Sequence, residues 1–524
     1  MKTKLLYLLL FISSYSFSQI YVNQNATGYN DGSSWADAYV DLQSAIASMS
    51  AGDEIWIAGG TYKPSTANRG IYYRINKPNI SIYGGFAGTE TLINDRVLGA
   101  NETILSGDLQ GNDVNVSGFS NNYVNTTRSD NTYRVIAIDA LGDHLLLDGL
   151  TISDAHNNYN DTSPGAAILK NSSVENLTLR NCTIKDNVAR TFSAGVHADF
   201  NLSATNNRGS LTIDRCQFTN NMSLGGSGVY TLVSASTNLD VTISNNVFDN
   251  NLAADLIASS AFGVSGSSMW FRVAGNGSDA TLNVYNNTFV NNIDTGTGTG
   301  IIDDRFRAPL AISENGSISS NIVGIVANCI FWNNTGLNDA LSTGGLTRAI
   351  SDTFEYPITS LNVYNCLDAL DFVEGSITSA VNTVTTNPLF ASLINGDYSL
   401  TTGSPALDSG NNSYVFGSED ILGHQRIFNT TIDMGAIEFG SSLGINDFSI
   451  AENQVKLYPN PASSVLNIEM TQDYKQATIY SVLGKEVLST QNKNINISGL
   501  SNGVFLIKIE DENGNVSTKR FIKQ

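Results

Sequence analysis

Residues 211–221 read LTIDRCQFTNN, and four other segments of the chain follow the same pattern without gaps. They are LTLRNCTIKDN from Leu177, VTISNNVFDNN from Val241, LNVYNNTFVNN from Leu282 and GIVANCIFWNN from Gly324, and a degenerate copy, LNVYNCLDALD, begins at Leu361. Successive copies start 34, 30, 41, 42 and 37 residues apart. A constant core with inserts of variable length is typical of a solenoid, in which loops leave a regular coil.

Each copy predicts two short strands joined by a corner. Leu211 and Ile213 alternate along the first strand, and then the phase slips so that Cys216 and Phe218 take the inward positions. A third strand is expected after each Asn pair, in GAAIL, AGVHADF, SGVYTLV, SSMWFRV and TGIIDDR, which begin at Gly165, Ala194, Ser227, Ser267 and Thr299. Three strands and three corners per turn predict an all-β chain folded as a right-handed parallel β-helix, with about eleven rungs and a length of roughly 50 Å.

Equivalent positions of the copies carry like residues. One inward column holds Ile184, Phe218, Phe248, Phe289 and Phe331, and a corner column holds Asn187, Asn221, Asn251, Asn292 and Asn334. Stacked about 4.8 Å apart, such amides can hydrogen-bond along the axis. Asn also tolerates the left-handed backbone of a sharp corner. The columns therefore predict an aromatic stack and an asparagine ladder.

All four cysteines share one column, formed by Cys182, Cys216, Cys329 and Cys366, with Asn246 and Asn287 between them. Neighbouring rungs lie within disulfide range, so Cys182–Cys216 and Cys329–Cys366 bridges are one interpretation. The other is a reduced, buried stack, because cysteine packs as a small hydrophobe. Side chains in register point parallel rather than toward each other, which favours the reduced stack.

The N-terminus predicts a signal peptide over residues 1–18. Lys2 and Lys4 precede an apolar run, and small residues lead to a cleavage site between Ser18 and Gln19. The run is too short for the roughly 20 apolar residues of a membrane-spanning helix.

The content and net balance of charged residues limit the classes of partner that the protein can bind. Charged residues make up only 15% of the 524 residues, against about 25% in ordinary globular domains, and the net charge is −20. Such an acidic surface repels phosphate backbones, so we expect no nucleic acid partner. The four histidines are scattered, and the sequence predicts no metal site or cofactor, although Ca²⁺ binding stays open.

The two ends of the solenoid resemble a known superfamily. YVNQNATGYNDGSSWADAYVDLQSAI from Tyr21, with GDEIWIAGGTYKP from Gly52, is similar to the opening of secreted β-helix proteins of the pectate-lyase-like superfamily. NPLF from Asn387 through IDMGAIEF resembles their closing segment, with a D-x-G-A-x-E signature at Asp433, Gly435, Ala436 and Glu438. The resemblance implies a β-helix over residues 19–440, with an N-terminal cap region at 19–65 and a closing segment at 387–440. Within the cap region, apolar residues at helical spacing from Trp35 to Met49 predict an amphipathic helix that covers the first rung.

Beyond a linker at 441–452, residues 453–524 alternate as short strands with frequent turn signals, which predicts a small antiparallel, immunoglobulin-like sandwich. From Tyr458-Pro-Asn-Pro to the basic end Lys519-Arg520-Phe521-Ile522-Lys523, this part resembles the type A sorting domain of the type IX secretion system. The resemblance implies export across an outer membrane, with the secretion machinery as partner and the chain then released or held at the cell surface.

Candidate ligand-binding residues lie on the outward face of the third strands. One outward column is expected to hold His197, Tyr230 and Trp270, and the next to hold Asp199, Leu232, Arg272 and Asp304. Aromatic rings beside charged groups could stack on sugars while the charges meet hydroxyls or carboxylates. The alternative is that loops cover these side chains.

Two functions stay open from the sequence. The first is a non-catalytic, adhesin-like monomer that binds polysaccharide or cell-surface glycans. The second is a polysaccharide lyase or a glycoside hydrolase acting on acidic polysaccharide, a lyase being preferred if the protein is an enzyme. Asp303-Asp304-Arg305 is only superficially similar to catalytic carboxylate clusters, and Gly423-His424-Gln425 lacks the second glycine of a G-H-G turn. The catalytic residues are therefore unknown.

Overall fold

The computed structural model has two compact units, residues 1–439 and 440–524. It describes residues 19–114, 119–139, 142–158, 165, 167–170, 174–202, 208–234, 236–254, 266–274, 277–294, 308–314, 321–336, 350–353, 360–368, 373–374, 379–440, 455–470, 474–481, 486–511 and 516–524. The predicted signal peptide lies outside the described residues, and Gln19 opens the first described strand.

Unit 1 is a parallel β-helix, because each strand pairs in parallel with the equivalent strand of the turns before and after it. The strands form four sheets, which we call A, B, C and D in the order in which the chain visits them. Sheet A contains Gln19–Val22, Glu54–Ala58, Ile80–Phe86, Gly142–Asp148, Val174–Arg180, Arg208–Asp214, Asn238–Ser244, Asp279–Tyr285, Asn321–Ala327, Ser360–Tyr364 and Ser379–Val381. These eleven strands confirm the predicted number of rungs.

Sheets B and C follow sheet A within each turn. Sheet B contains Gly60–Tyr62, Thr103–Ser106, Leu150–Ser153, Thr183–Lys185, Gln217–Thr219, Val247–Asp249, Thr288–Val290, Ile330–Trp332 and Leu367–Asp368. Sheet C contains the two-residue strands His156–Asn157, Val188–Ala189, Met222–Ser223, Leu252–Ala253, Ile293–Asp294 and Thr335–Gly336. The expectation of three strands per turn is therefore wrong for the central turns, which have four. The additional strand is the short one of sheet C, which forms directly after each Asn corner.

Sheet D closes each turn. It contains Tyr73–Ile75, Ile136–Ile138, Ile168–Lys170, Val196–Phe200, Val229–Val233, Met269–Val273, Leu310–Glu314, Ile350–Thr353 and Val373–Glu374. The strand expected to begin at Thr299 is not the partner of Met269–Val273, since Leu310–Glu314 holds that place.

In the central turns, each corner from sheet A to B and from sheet B to C contains one residue in the left-handed backbone conformation. Asn245 and Asn250 have φ of +56° and +52°, and the equivalent Asn286 and Asn291 both have +55°. Asparagine adopts this left-handed conformation more readily than other non-glycine residues. Corners of fixed length keep sheets A, B and C in register from turn to turn.

The predicted columns stack inside the coil. Neighbouring rings of Phe218, Phe248, Phe289 and Phe331 are parallel, with centroids 4.6–4.8 Å apart. The buried Asn ladder is continuous from Asn187 to Asn334, with Nδ2–Oδ1 distances between rungs of 2.9–3.1 Å. All four cysteines are buried free thiols, as the reduced interpretation expects.

A helix covers the start of the coil. Leu42–Ser48 begins after Asp41, whose carboxylate accepts from the Ser44 amide at 2.8 Å. Leu42, Ala45 and Ile46 are buried in the main core, so the helix is the expected amphipathic cap, although it is shorter than Trp35–Met49. The other described helical segments are Ile93–Asp95, Phe119–Tyr123, Thr126–Ser129 and Leu393–Asn395.

The closing segment packs beside the corners that follow sheet A, after the hairpin Phe390–Ser392 and Asp397–Leu400. Its signature carboxylates organise its own backbone. Asp433 accepts from the amides of Asp408 and Phe439 at 2.6 and 2.7 Å, and Glu438 accepts from those of Phe428 and Asp433 at 2.9 and 3.0 Å. The signature is structural here, because these carboxylates serve as anchors for backbone N–H groups.

Unit 2 is a small antiparallel sandwich. One sheet contains Val455–Tyr458, Val465–Met470 and Asn494–Asn496, and the other contains Glu486–Thr490, Tyr474–Ser481, Gly503–Asp511 and Val516–Lys523. Both sheets contribute to one hydrophobic core, with Leu466, Ile507 and Phe521 fully buried. No helix of the described chain is long and apolar enough to cross a membrane.

Candidate functional site

The first predicted binding column exists on sheet D, but it is covered. His197, Tyr230 and Trp270 are paired in register, with centroids 4.9 and 5.3 Å apart. They are only 5%, 2% and 7% exposed. The ring of Phe192 stacks on Tyr230 at 5.3 Å. Burial also lowers the pKa of His197 to about 3, so this imidazole is neutral.

The second predicted column is only partly realised. Asp199, Leu232 and Arg272 are partners in register and partly exposed, and the Arg272 guanidinium lies 5.8 Å from the Trp270 ring centroid. Ser313 is the next residue of the column. Asp304, which was expected there, lies outside the described residues. In the described part of sheet D, the aromatic column is therefore covered, and the second column is only partly exposed at Asp199, Leu232 and Arg272.

A groove of about 370 Å³ opens instead on the outward face of sheet A. Its floor is formed by two rungs and its wall by a loop of the closing segment. The lining residues are Thr178, Arg180, Thr212, Asp214, Arg215, Phe416, Gly417, Ser418 and Glu419. We call this site the sheet A groove.

Two arginines give the groove its charge pattern. Arg180 contacts Asp148, with Nε and Nη2 at 2.7 and 2.6 Å from Oδ2. Asp148 has no exposed surface and also accepts from Asn181 at 2.9 Å. Arg180 in contrast keeps 39% of its side chain exposed. The buried aspartate therefore holds the guanidinium in a fixed position at the edge of the groove.

The second arginine joins the floor to the wall. Arg215 contacts Asp214 through Nε at 3.2 Å and Glu419 through Nη1. Asp214 also accepts from Ser244 and Asn245 at 2.8 Å each. The lining therefore contains two cations and two carboxylates, each already in an ion pair. Thr178 and Thr212 add hydroxyls that can donate and accept, and Phe416 adds an apolar ring that is 37% exposed.

The sequence alone did not single out this groove. One signal was present: Arg215 occupies a corner position where the neighbouring turns carry Asn181 and Asn245, and it adopts the same positive φ of 55°. An arginine is an unusual choice for such a corner, which indicates a role for its side chain. The wall could not be inferred, because Arg215 and Glu419 are 204 residues apart.

The described residues contain no group of three or more His, Cys, Asp or Glu arranged to hold a metal ion.

In unit 2, the predicted sorting signal lies in the last strand, Val516–Lys523, at the edge of its sheet. Phe521 faces the core with no exposed surface, whereas Ile522 is 38% exposed. The Lys523 ammonium donates to the carbonyl of Gln524 at 2.7 Å. The signal is thus part of a folded strand rather than a loose tail.

Comparison with known proteins gives one clear match. Residues 456–524 match the family model described as the secretion system C-terminal sorting domain. The chain is therefore exported by type IX secretion, to the medium or the cell surface. No curated protein sequence matches the chain.

One solved structure with a related shape is described as the crystal structure of pectate lyase Pel9A. It is 14% identical, covers 81% of this chain and 97% of its own, and superposes with a TM-score of 0.32. A likeness this distant carries no information on activity, and the β-helix assignment rests on the strand pairing described above.

Proposed function

We propose that this exported β-helix protein is a non-catalytic, adhesin-like monomer that binds glycans, and that the sheet A groove is its binding site. The observation that carries the proposal is the grouping of one exposed aromatic ring, two ion-paired arginines and two threonines around a single groove. An aromatic ring can stack on the apolar face of a sugar. Fixed donors and acceptors beside it can then meet the sugar hydroxyls.

The sheet A groove is more accessible to a sugar than the aromatic column of sheet D. The rings of Tyr230 and Trp270 would need Phe192 and its neighbours to move before a sugar could stack on them. Phe416 needs no such rearrangement, since over a third of its surface is already exposed.

The test is retention on immobilised polysaccharides, with two phenylalanines of the closing segment compared. Phe416 lines the groove, whereas Phe428 is equally exposed, at 38%, and does not line it. We expect Phe416→Ala to abolish retention and Phe428→Ala to leave it unchanged. Thr178→Val with Thr212→Val, which removes hydroxyls at nearly constant volume, should weaken retention as well. Equal retention by all of these variants would contradict the proposal.

The enzymatic alternative needs its own assay. Incubation with acidic polysaccharides, with and without Ca²⁺, would release unsaturated or reducing ends if the protein were a lyase or a hydrolase. We expect neither product. We also expect EDTA to leave retention unchanged, because protein side chains supply the charges of the groove.

A further inference from the structure

From the continuation of this face beyond the groove, we infer that the ligand is an uncharged, extended glycan chain lying along the solenoid axis, and that three tyrosines form a second contact site for it. The inference rests on the proposed function and adds the charge, the direction and the minimum length of the ligand. Three observations support it: the direction in which the groove wall runs, a cluster of tyrosines on the same face, and the excess of acidic over basic residues.

The wall of the groove runs along the axis rather than across it. Asn328 donates to the carbonyls of Asn411 and Tyr414 at 3.1 and 3.0 Å. Asn245, two turns earlier, donates to the carbonyl of Phe416 at 3.1 Å, and Arg215, another turn earlier, contacts Glu419. Residues 411–419 therefore descend along the corners that border sheet A, and a ligand lying against this wall would follow the axis.

The floor beside this wall repeats from turn to turn. Its middle outward column is partly exposed in six successive turns and consists mostly of small polar side chains, namely Thr178, Thr212, Thr242, Asn283, Ile325 and Asn362. A polymer whose repeating units resemble the rung spacing in length would meet an equivalent group at each step.

A tyrosine cluster lies further along the same face. Tyr414, on the wall, stacks on Tyr364 with centroids 4.9 Å apart and planes at 12°, and it contacts Tyr285 at 5.8 Å. The Tyr285 hydroxyl donates to Asn283 of the floor at 2.8 Å. All three tyrosines are partly exposed.

The distance between the sheet A groove and the tyrosine cluster sets the minimum length of a glycan that contacts both. Tyr285 and Tyr364 occupy the outward column of Arg180, three and five rungs further on. At about 4.8 Å per rung these steps correspond to roughly 14 and 24 Å. A disaccharide in the groove would not reach the tyrosines, whereas a chain of about six units would.

Charge favours a neutral ligand. Arg180 already pairs with the buried Asp148, and Arg215 pairs with Asp214 and Glu419, so an anionic glycan would have to compete with these carboxylates for both guanidinium groups. Residues 19–452 also contain 18 basic and 42 acidic residues, so a polyanion would be repelled as it approached. Paired charges that keep spare donors and acceptors suit hydroxyl groups instead.

The experiment is isothermal titration of the mature full-length protein with dimers and hexamers of β-1,4-linked glucose, mannose and xylose, and with a galacturonate hexamer. We expect at least one neutral hexamer to bind tenfold or more tightly than its dimer, and the galacturonate hexamer to bind more weakly. Tyr364→Ala and Tyr414→Ala should each remove most of the gain from length without changing dimer affinity, while Phe416→Ala should weaken both. Tyr29→Ala is the control, because Tyr29 is 87% exposed in the loop before the first helix.

The outcomes separate the two proposals. Equal affinity for dimer and hexamer, or a gain that survives both tyrosine substitutions, would overturn the extended chain and leave glycan binding intact. Tighter binding of galacturonate than of every neutral hexamer would overturn the uncharged ligand. No binding of any oligosaccharide would overturn the proposed function together with this inference.

Discussion

The side-chain amide of Asn251 donates to Asn292 Oδ1 at 3.0 Å, although the two residues are 41 positions apart in the sequence. The same amide donates to the carbonyl of Phe218 at 2.9 Å, and Asn251 Oδ1 accepts from both the backbone and the side chain of Asn221. One buried side chain thus satisfies polar groups of the turns on both sides of its own.

Removal of this amide should destabilise unit 1 strongly. Asn251→Ala would leave buried donors of Asn221 and the carbonyl of Phe218 without this partner, and each unsatisfied group costs about 1–3 kcal/mol. We expect the free energy of unfolding to fall by about 3 kcal/mol or more. Chemical denaturation followed by near-ultraviolet circular dichroism measures it. Asp240→Ala, at an exposed position of sheet A, is the control and should change stability by less than about 0.5 kcal/mol. Similar losses in both variants would contradict the ladder's role.

The ladder and the aromatic stack could be predicted because corners of fixed length keep their residues at constant spacing within each copy. The next strand of sheet D after Met269–Val273 could not be predicted, because no Asn corner marks where it begins. Leu310 stands 18 residues beyond Asn292, and TGIIDDR supplied an earlier apolar run that fitted the pattern equally well.

For the aromatic column of sheet D, the sequence predicted the orientation of the side chains but not their exposure. Alternation along the strand correctly placed Tyr230 and Trp270 outward. Whether an outward residue is exposed depends on the inserts between copies, and Phe192, which covers them, belongs to such an insert. The sheet A groove depends on a segment about 200 residues further along the chain, which no local pattern reports.

The cysteine column should stay reduced in the exported protein. All four thiols are buried, and burial raises the pKa of Cys216, so the reactive thiolate is scarce. We expect no reaction with a thiol reagent in the native state and four reactive thiols after denaturation without reductant. A lower count in the denatured protein would show that disulfides form.

Export of the chain should require unit 2, whereas folding of the β-helix should not require it. Unit 2 has its own core, and the secretion family model matches within it. A chain that ends at residue 440 should therefore keep the thermal midpoint of the β-helix. It should nevertheless accumulate in the periplasm, because it cannot cross the outer membrane. Fractionation and immunoblotting would detect this. Appearance of the truncated chain outside the cell would contradict the assignment of the export signal.

Two glycines of the closing segment provide a matched test of its packing. Gly435 has φ of +93°, and a Cβ there would lie 2.7 Å from Ile330 Cδ1 and 2.9 Å from Thr288 Oγ1. Gly423 has φ of +79° with nothing within 4 Å of the same position. Alanine at either site carries the backbone cost of about 1–2 kcal/mol, and only Gly435→Ala adds steric conflict, of about 1–3 kcal/mol. Limited proteolysis of residues 387–440 should therefore be faster in Gly435→Ala than in Gly423→Ala.

A buried lysine makes the stability of unit 1 depend on pH above neutrality. Lys170 points into the coil with no exposed surface, its ammonium donates to the carbonyl of Asp199 at 2.7 Å, and it lies 3.7 Å from the Phe200 ring centroid. Burial lowers the pKa of Lys170 to about 7, from about 10.5 when unfolded. Between these values the unfolded chain holds more protons than the folded one, so stability rises with pH from about 7 to 10.5.

Lys170→Met removes this dependence, because methionine fills similar space without a titrating group. We expect the free energy of unfolding of the native protein, relative to Lys170→Met, to rise by about 3 kcal/mol between pH 7 and 9.5, since each pKa unit corresponds to 1.36 kcal/mol. Denaturant titrations of both proteins at the two pH values measure the difference, and effects of the other titrating groups cancel because both proteins share them. A difference that does not change with pH would mean that Lys170 keeps an ordinary pKa in the folded state.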